Sequence, residues 1–181
     1  MDYTPRNVGE GLAKFNVAPL HFRVPYSLAQ LSCHTACLMQ KEFPSDPLAF
    51  LYGLLFDSHH LAAGYVPPGL RDFIGLQWAD AYEAIEEEAL KEVLIDLDVP
   101  HPIDPKYLKA LSRCHEIALA TAVRDFSQES SEVHGLDEQP DPSCRALRML
   151  AWHEAANHWV DAFNATFKLF EKTYEKSQRT T

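Results

Sequence analysis

Apolar residues recur at helical spacing along most of the chain, and proline and glycine punctuate the runs. From Tyr26 to Phe43, Leu28, Leu31, Ala36 and Leu38 stand among polar residues with no Gly or Pro inside, which predicts a helix ended by Pro44. Ser45-Asp46-Pro47 then places a capping side chain before a proline of a first turn. Leu48 to Ala63 continues as one helix until Gly64 and Pro67-Pro68. That helix is apolar nearly all round, so it belongs in the centre of the fold. Leu76 to Asp98 reads as an acidic amphipathic helix closed by Pro100 and Pro102, and Asp104-Pro105 opens another that runs to about Phe126. Residues 127–142 have the polar, Pro- and Gly-containing composition of an exposed loop. Ser143 to about Lys176, the unit 143–177, reads as one long or kinked final helix carrying Leu147, Leu150, Ala151, Trp159, Phe163, Phe167 and Phe170. With no strand pattern and no internal repeat, the expected class is all-α, in a single domain over 1–181.

Composition narrows the function classes. A chain of 181 residues with 46% apolar content fills one core. Sixteen Lys and Arg against 26 Asp and Glu give a formal charge of −10, which disfavours a nucleic-acid surface, because each phosphate contact needs a cation. Four cysteines are too sparse for a disulfide scaffold, and no secretory leader precedes Cys33, so reduced thiols in a cytoplasmic protein are expected. No apolar run reaches the roughly 18 residues of a membrane span.

Several arrangements invite a chemical reading and do not sustain it. His153 and His158 flank a Glu154 as in a zinc protease, but their spacing of five turns the second ring roughly 140° from the first. Cys33 and Cys37 share a helix face, yet two thiols without a further Cys/His pair read as small core residues. Glu83, Glu86, Glu87, Glu88 and Glu92 read as a solvated face, and His59 as an outward-pointing residue. The aromatic series Trp152, Trp159, Phe163, Phe167 and Phe170 reads as a core stripe. Asp57 is different. A carboxylate in an apolar central helix must meet a cation, a donor set or water, and a neighbouring helix end would suffice. His60, three residues on, shares part of its face.

The residues around Asp57 carry a resemblance. Leu54, Asp57, Gly64, Val66, Pro67, Leu70 and Arg71 hold the frame of a motif approximately L-x-H-D-x-x-E-x-x-x-G-D-[IV]-P-x-P-[LV]-K. Ser27-Leu28-Ala29-Gln30-Leu31-Ser32 is similar to the upstream S-V-A-Q-H-S. Leu108-Lys109-Ala110, Cys114-His115 and Leu119-Ala120-Thr121-Ala122-Val123-Arg124-Asp125-Phe126 are similar to the downstream V-K-x-A-D-x-x-x-L-A-T-E-x-R-D-L. Over residues 20–126 the chain thus resembles the HD-domain phosphohydrolases, in the branch of small bacterial and phage proteins related to deoxynucleotide 5′-phosphatases. The resemblance implies a single helical HD-like domain. In that family an H…HD…D set holds a divalent cation that activates water. Carried over position by position, those ligands fall on Leu31, Phe56, Asp57 and His115. The assisting Glu falls on His60, the Asp after Gly64 on Tyr65, and the Glu of the third motif on Ala122.

Leu and Phe offer no lone pair, so the resemblance implies a dismantled centre and no favoured cofactor. The expected function is that of a pseudoenzyme binding a nucleotide-like ligand or a protein partner, through a pocket at Leu31, Phe56, His60 and Tyr65, with Asp57 and His115 paired. The alternative is an active phosphohydrolase with a rebuilt centre of His34, Asp57, His60 and His115, suited to Zn, Mn, Fe or Ni. A third option is an acidic interaction protein that engages a basic partner.

Overall fold

The computed structural model describes residues 2–17, 22–64, 76–127 and 136–178, and among these the fold is all-α. The only β pairing in this set is two isolated bridges, Asn16 with Ser27 and Phe22 with Ser127. Among the described residues no helix is long and apolar enough to cross a membrane.

Helix starts follow the capping chemistry. Helix α1 (Pro5–Lys14) begins after Thr4, whose Oγ1 accepts from Asn7 N at 3.2 Å. Helix α2 (Leu28–Glu42) begins after Ser27, which accepts from Gln30 N. Helix α3 (Pro47–Leu55) has Asp46 as its cap. Past a 3₁₀ turn (Phe56–His59) come the single turn α4 (His60–Ala63) and, beyond it, α5 (Leu76–Asp96). Asp104 caps α6 (Pro105–Phe126), and α7 (Trp152–Gln178) closes the chain. The cap of α3 also ties it to α6, since Tyr107 donates its hydroxyl to Asp46 Oδ2 at 2.6 Å.

The fully buried α2 and α3 sides meet along Ala36 and Gly53, and Ser32 lies opposite Asp57, so the two helices run antiparallel. Helix α6 covers α2, with aromatic contacts at both ends through Phe43–Tyr107 and Tyr26–Phe126. Helix α7 lies across α1 and α3, where buried Trp159 donates its indole N–H to Leu54 O at 3.1 Å.

Five expectations need correction. Helix α1 is absent from the elements assigned above, although Thr4-Pro5 with Val8 and Leu12 supplies a cap and an apolar stripe. The helix expected over 48–63 is interrupted at Phe56–His59, because side chains take the carbonyls that a continuous ladder would use: Ser58 Oγ donates to Leu55 O at 2.6 Å and His59 Nδ1 to Phe56 O at 2.7 Å. The last helix starts at Trp152, not Ser143, since residues 136–151 form a non-helical strap whose backbone is held by side chains. Arg124 donates to Asp141 O and Cys144 O, Leu147 N donates to Asp125 Oδ2, and Gln30 Nε2 donates to Arg148 O. Within the segment read as an exposed loop, Asp141 is buried; of that segment, residues 128–135 lie outside the described residues. The aromatic stripe holds at Trp159 and Phe163, but Trp152 is 52% exposed, beneath Lys14, because it stands at the very start of α7.

The α2–α3 contact yields a first prediction. A Cβ at Gly53 would lie 2.7 Å from Ala36 Cα and 2.9 Å from Ala36 N, backbone atoms that cannot swing aside. Overpacking of about 1–3 kcal/mol outweighs the roughly 1 kcal/mol of helix propensity that alanine adds. Gly53→Ala should therefore lower the urea midpoint, and a raised midpoint would show that the helices are not in such close contact.

Candidate functional site

The 3₁₀ turn aims Asp57 into the core between α2 and α6. Its side chain is 3% exposed, and it is reached from both helices. From α6, His115 Nε2 donates to Asp57 Oδ1 at 3.0 Å. From α2, Ser32 Oγ lies 3.1 Å from Oδ2 and 2.7 Å from Leu28 O, so one hydroxyl proton serves two acceptors. Phe56 sits edge-on against the His115 ring, with centroids 5.0 Å apart, and Leu31 is fully buried.

Burial alone drives the Asp57 carboxyl upward, but His115, by charge and hydrogen bond, with His60 and His59 adding to it, holds it below the usual range. Burial likewise disfavours the His115 imidazolium, and the facing carboxylate more than compensates, so this histidine is raised. The pair is ionic and hydrogen-bonded, with the histidine side chain 23% exposed at its rim.

The four positions that the resemblance singled out, Leu31, Phe56, Asp57 and His115, therefore do not fit a divalent cation. Leu31 and Phe56 have no donor atom, and Asp57 Oδ1 is taken by His115. The rebuilt set is not brought together either. His34 turns to the other side of α2, where its Nε2 meets Asp141 Oδ2 at 3.4 Å. Burial pushes the His34 imidazole down, which the Asp141 contact only partly offsets. Tyr65 lies outside the described residues.

In place of that set the turn assembles another. His59, His60 and Glu86 bring one ligand atom each within 4.8 Å of one another. His59 Nε2 is 3.3 Å and His60 Nδ1 3.9 Å from Glu86 Oε1. This corrects two expectations: His59 does not point outward, and Glu86 is not part of the solvated face. Both side chains are only 13% exposed, because α5 lays Glu86 against the turn, whereas Glu83, Glu87, Glu88 and Glu92 stay exposed. His60 Nδ1 also contacts Gly64 O at 3.1 Å, and burial, with His59 beside it, pushes the His60 pKa down to about 4. The cysteine reading needs amendment too: Cys33 is mostly covered, and burial pushes its thiol up to about 12, but Cys37 is exposed.

Sequence reasoning missed Ser32, Glu86 and Asp141. Ser32 was signalled by its place in the Ser27–Ser32 motif next to Leu31. The partners of Glu86 and Asp141 come from distant segments, and local spacing carries no sign of them. No family model matches the chain, and no curated protein matches it.

Two predictions follow from these contacts. His115→Ala leaves a buried carboxylate without its partner and should cost on the order of 3 kcal/mol. The Asp57→Ala/His115→Ala double variant should cost clearly less than the two single losses added. Urea denaturation decides it, and additive losses would mean that the residues do not interact.

The pH dependence has a definite sign. His115, raised, contributes stability in full below its unfolded value of about 6.5, and this is lost as pH climbs through the folded value. Asp57, lowered, contributes above its unfolded value of about 3.9, and this is lost as pH falls through the folded value. His60, lowered by burial, adds to the acid-side loss: between about pH 6.5 and 4 the unfolded chain takes up a proton that the folded one refuses, so stability falls as pH falls across that window. In urea midpoints measured over a pH series, His115→Ala should remove the alkaline-side decline and His60→Gln should flatten the acid-side one. Unchanged slopes would contradict these assignments.

Proposed function

We propose that the chain is a catalytically degenerate HD-like helical domain that binds a nucleotide-like small molecule or a protein partner and does not hydrolyse phosphate esters. The observation that carries this reading is the Asp57–His115 contact at 3.0 Å. The one family ligand still present spends its oxygen on an imidazole, and Leu31 and Phe56 stand where two further ligands would be needed. The resemblance in motif order supports the HD-like frame, and the charge of −10 supports a partner other than nucleic acid. A cytoplasmic setting follows from the same family resemblance and the sparse cysteines.

A second reading, an active metal-dependent phosphohydrolase, is favoured by the His59–His60–Glu86 cluster. Two imidazoles and a carboxylate suit Zn, Mn, Fe or Ni. His59 Nδ1 is engaged by Phe56 O, the outer contact that typically orients a ligating imidazole, and this leaves Nε2 facing Glu86.

Metal analysis after tag-free purification, followed by hydrolysis assays on nucleoside mono- and triphosphates with Mg, Mn, Co and Ni, separates the two. The degenerate-domain reading expects no stoichiometric metal and no turnover above background. Chelator-sensitive turnover lost in Asp57→Ala would overturn it, and turnover lost in Glu86→Gln but kept in Asp57→Asn would establish the second reading. Restoring Leu31→His, Phe56→His and His115→Asp together should create a thermal shift with Mn or Co. A folded triple variant without that shift would contradict the motif alignment.

A further inference from the structure

The helix break at Phe56–His59 does more than aim Asp57 inward, because it sets two histidines side by side against α5. Successive side chains of a regular α-helix point about 100° apart. Here the His59 and His60 ring centroids are 3.9 Å from one another, and Glu86 reaches both rings from α5. His60 is buried, and His59 and Glu86 are nearly so.

The proton on His59 is placed by its other contact. Nδ1 lies 2.7 Å from Phe56 O, a carbonyl that only accepts, so Nδ1 carries the proton and Nε2 of the neutral ring carries a lone pair. That nitrogen faces Glu86 Oε1 at 3.3 Å. A lone pair against a carboxylate oxygen, in a nearly dry site, is repulsive unless a positive centre stands between them. The centre is either a second proton or a metal ion, and the separation favours the ion. A charge-assisted N–H to carboxylate contact closes to about 2.7–2.9 Å. Two ligands of a tetrahedral zinc, at bond lengths of about 2.0–2.1 Å, stand roughly 3.3–3.4 Å apart.

His60 completes the set. One of its nitrogens lies within 4.8 Å of the other two ligand atoms, and burial, with His59 beside it, keeps its ring in the neutral form that binds metals. The Gly64 carbonyl that its Nδ1 contacts at 3.1 Å also receives the Tyr82 hydroxyl at 2.6 Å, so His60 turns toward an ion without orphaning that oxygen. Two imidazoles and one carboxylate are a set that zinc takes, whereas Mg and Ca prefer oxygen ligands throughout. The formal charge of −10 draws cations toward the chain.

We propose that His59, His60 and Glu86 form an exchangeable zinc site that clasps α5 to the 3₁₀ turn. It goes beyond both readings above, since it requires no hydrolysis. His60 must leave its Gly64 contact to bind, so the ion is one that the protein takes up when supplied and gives up during purification. Ligands from two separate segments then hold the turn, and with it Asp57, against α5, and the folded state gains whatever the ion's binding contributes.

Titration of the chelator-treated full chain with zinc chloride, followed by calorimetry and by thermal unfolding, tests it. One ion per chain should saturate the protein at micromolar concentration and raise the unfolding midpoint, and millimolar Mg or Ca should do neither. Glu86→Gln should weaken zinc binding by at least roughly tenfold, the lesser loss that follows removal of a residue merely supporting a ligand. Glu87→Gln, on the exposed face of α5, should leave it unchanged. In imidazole NMR spectra of the unaltered protein, zinc should move the His59 and His60 resonances and spare those of His153 and His158, a readout that does not depend on any variant folding. The proposal is overturned if zinc does not saturate the protein, if Mg competes equally, if Glu86→Gln binds as tightly as the original chain, or if only other histidines respond, which would mark an adventitious ion only. Zinc binding accompanied by phosphate-ester hydrolysis would leave the site in place and overturn the non-catalytic reading alone, whereas neither binding nor hydrolysis would overturn the site alone, so the two failures are distinct.

Discussion

A carboxylate buried where three segments meet sets the terms for the centre of this fold. Asp57 emerges from the 3₁₀ turn into the space between α2 and α6, and its charge is kept there by His115 from one side and shared with Ser32 from the other. Removing a charge from water is expensive unless hydrogen bonds and an opposite charge replace it. That requirement aligns the turn with both helices: if α6 slid by one residue along α2, His115 would leave the carboxylate. The interruption of the helix at Phe56–His59 belongs to the same arrangement. With Ser58 and His59 drawing on the Leu55 and Phe56 carbonyls, the chain tightens, and Asp57 and His60 fall nearly in line at a spacing of three.

A second buried carboxylate organises the other face of α2. Asp141, in the strap, takes the Ser143 N–H and hydroxyl, Lys41 and His34, and burial, which would raise its pKa, is outweighed by these donors. Its own N–H donates to Thr121 on α6 at 2.8 Å. Non-helical backbone can lie against the core here because α2 and α6 side chains satisfy its polar groups. The strap in turn roofs a largely apolar cavity between α2 and α7. Helix α2 thus carries polar side chains on two faces, Ser32 toward Asp57 and Gln30 with His34 toward the strap, while Leu31, Thr35 and Ala36 stay in the core.

The sequence was legible where the signal was local. Asp46-Pro47 and Asp104-Pro105 mark two helix starts to the residue, because a capping side chain and a fixed φ act within one turn. Asp57 stood out as a lone charge on an apolar helix, and the motif frame set His115 opposite it, a contact the structure contains. What was illegible depends on distant partners. The start of α7 slips from 143 to 152 because Asp125, Arg124 and Gln30 hold the preceding backbone, and nothing in residues 143–151 announces those bonds. Glu86 looked like one acid among five, and only the docking of α5 singles it out. His34 was assigned to the wrong carboxylate: its position on α2 turns it toward Asp141, and a helical spacing identifies a face but not what covers it.

The central claim is that Asp57 and His115 form a charged, hydrogen-bonded pair in the core. Observing the His115 imidazole by NMR through a pH titration of the protein tests it most directly. The account predicts a His115 pKa above the ordinary value of about 6.5, with the Nε2 proton protected from exchange and with the pKa falling in Asp57→Asn. A His115 that titrates at or below the ordinary value, indifferent to Asp57→Asn, would contradict it.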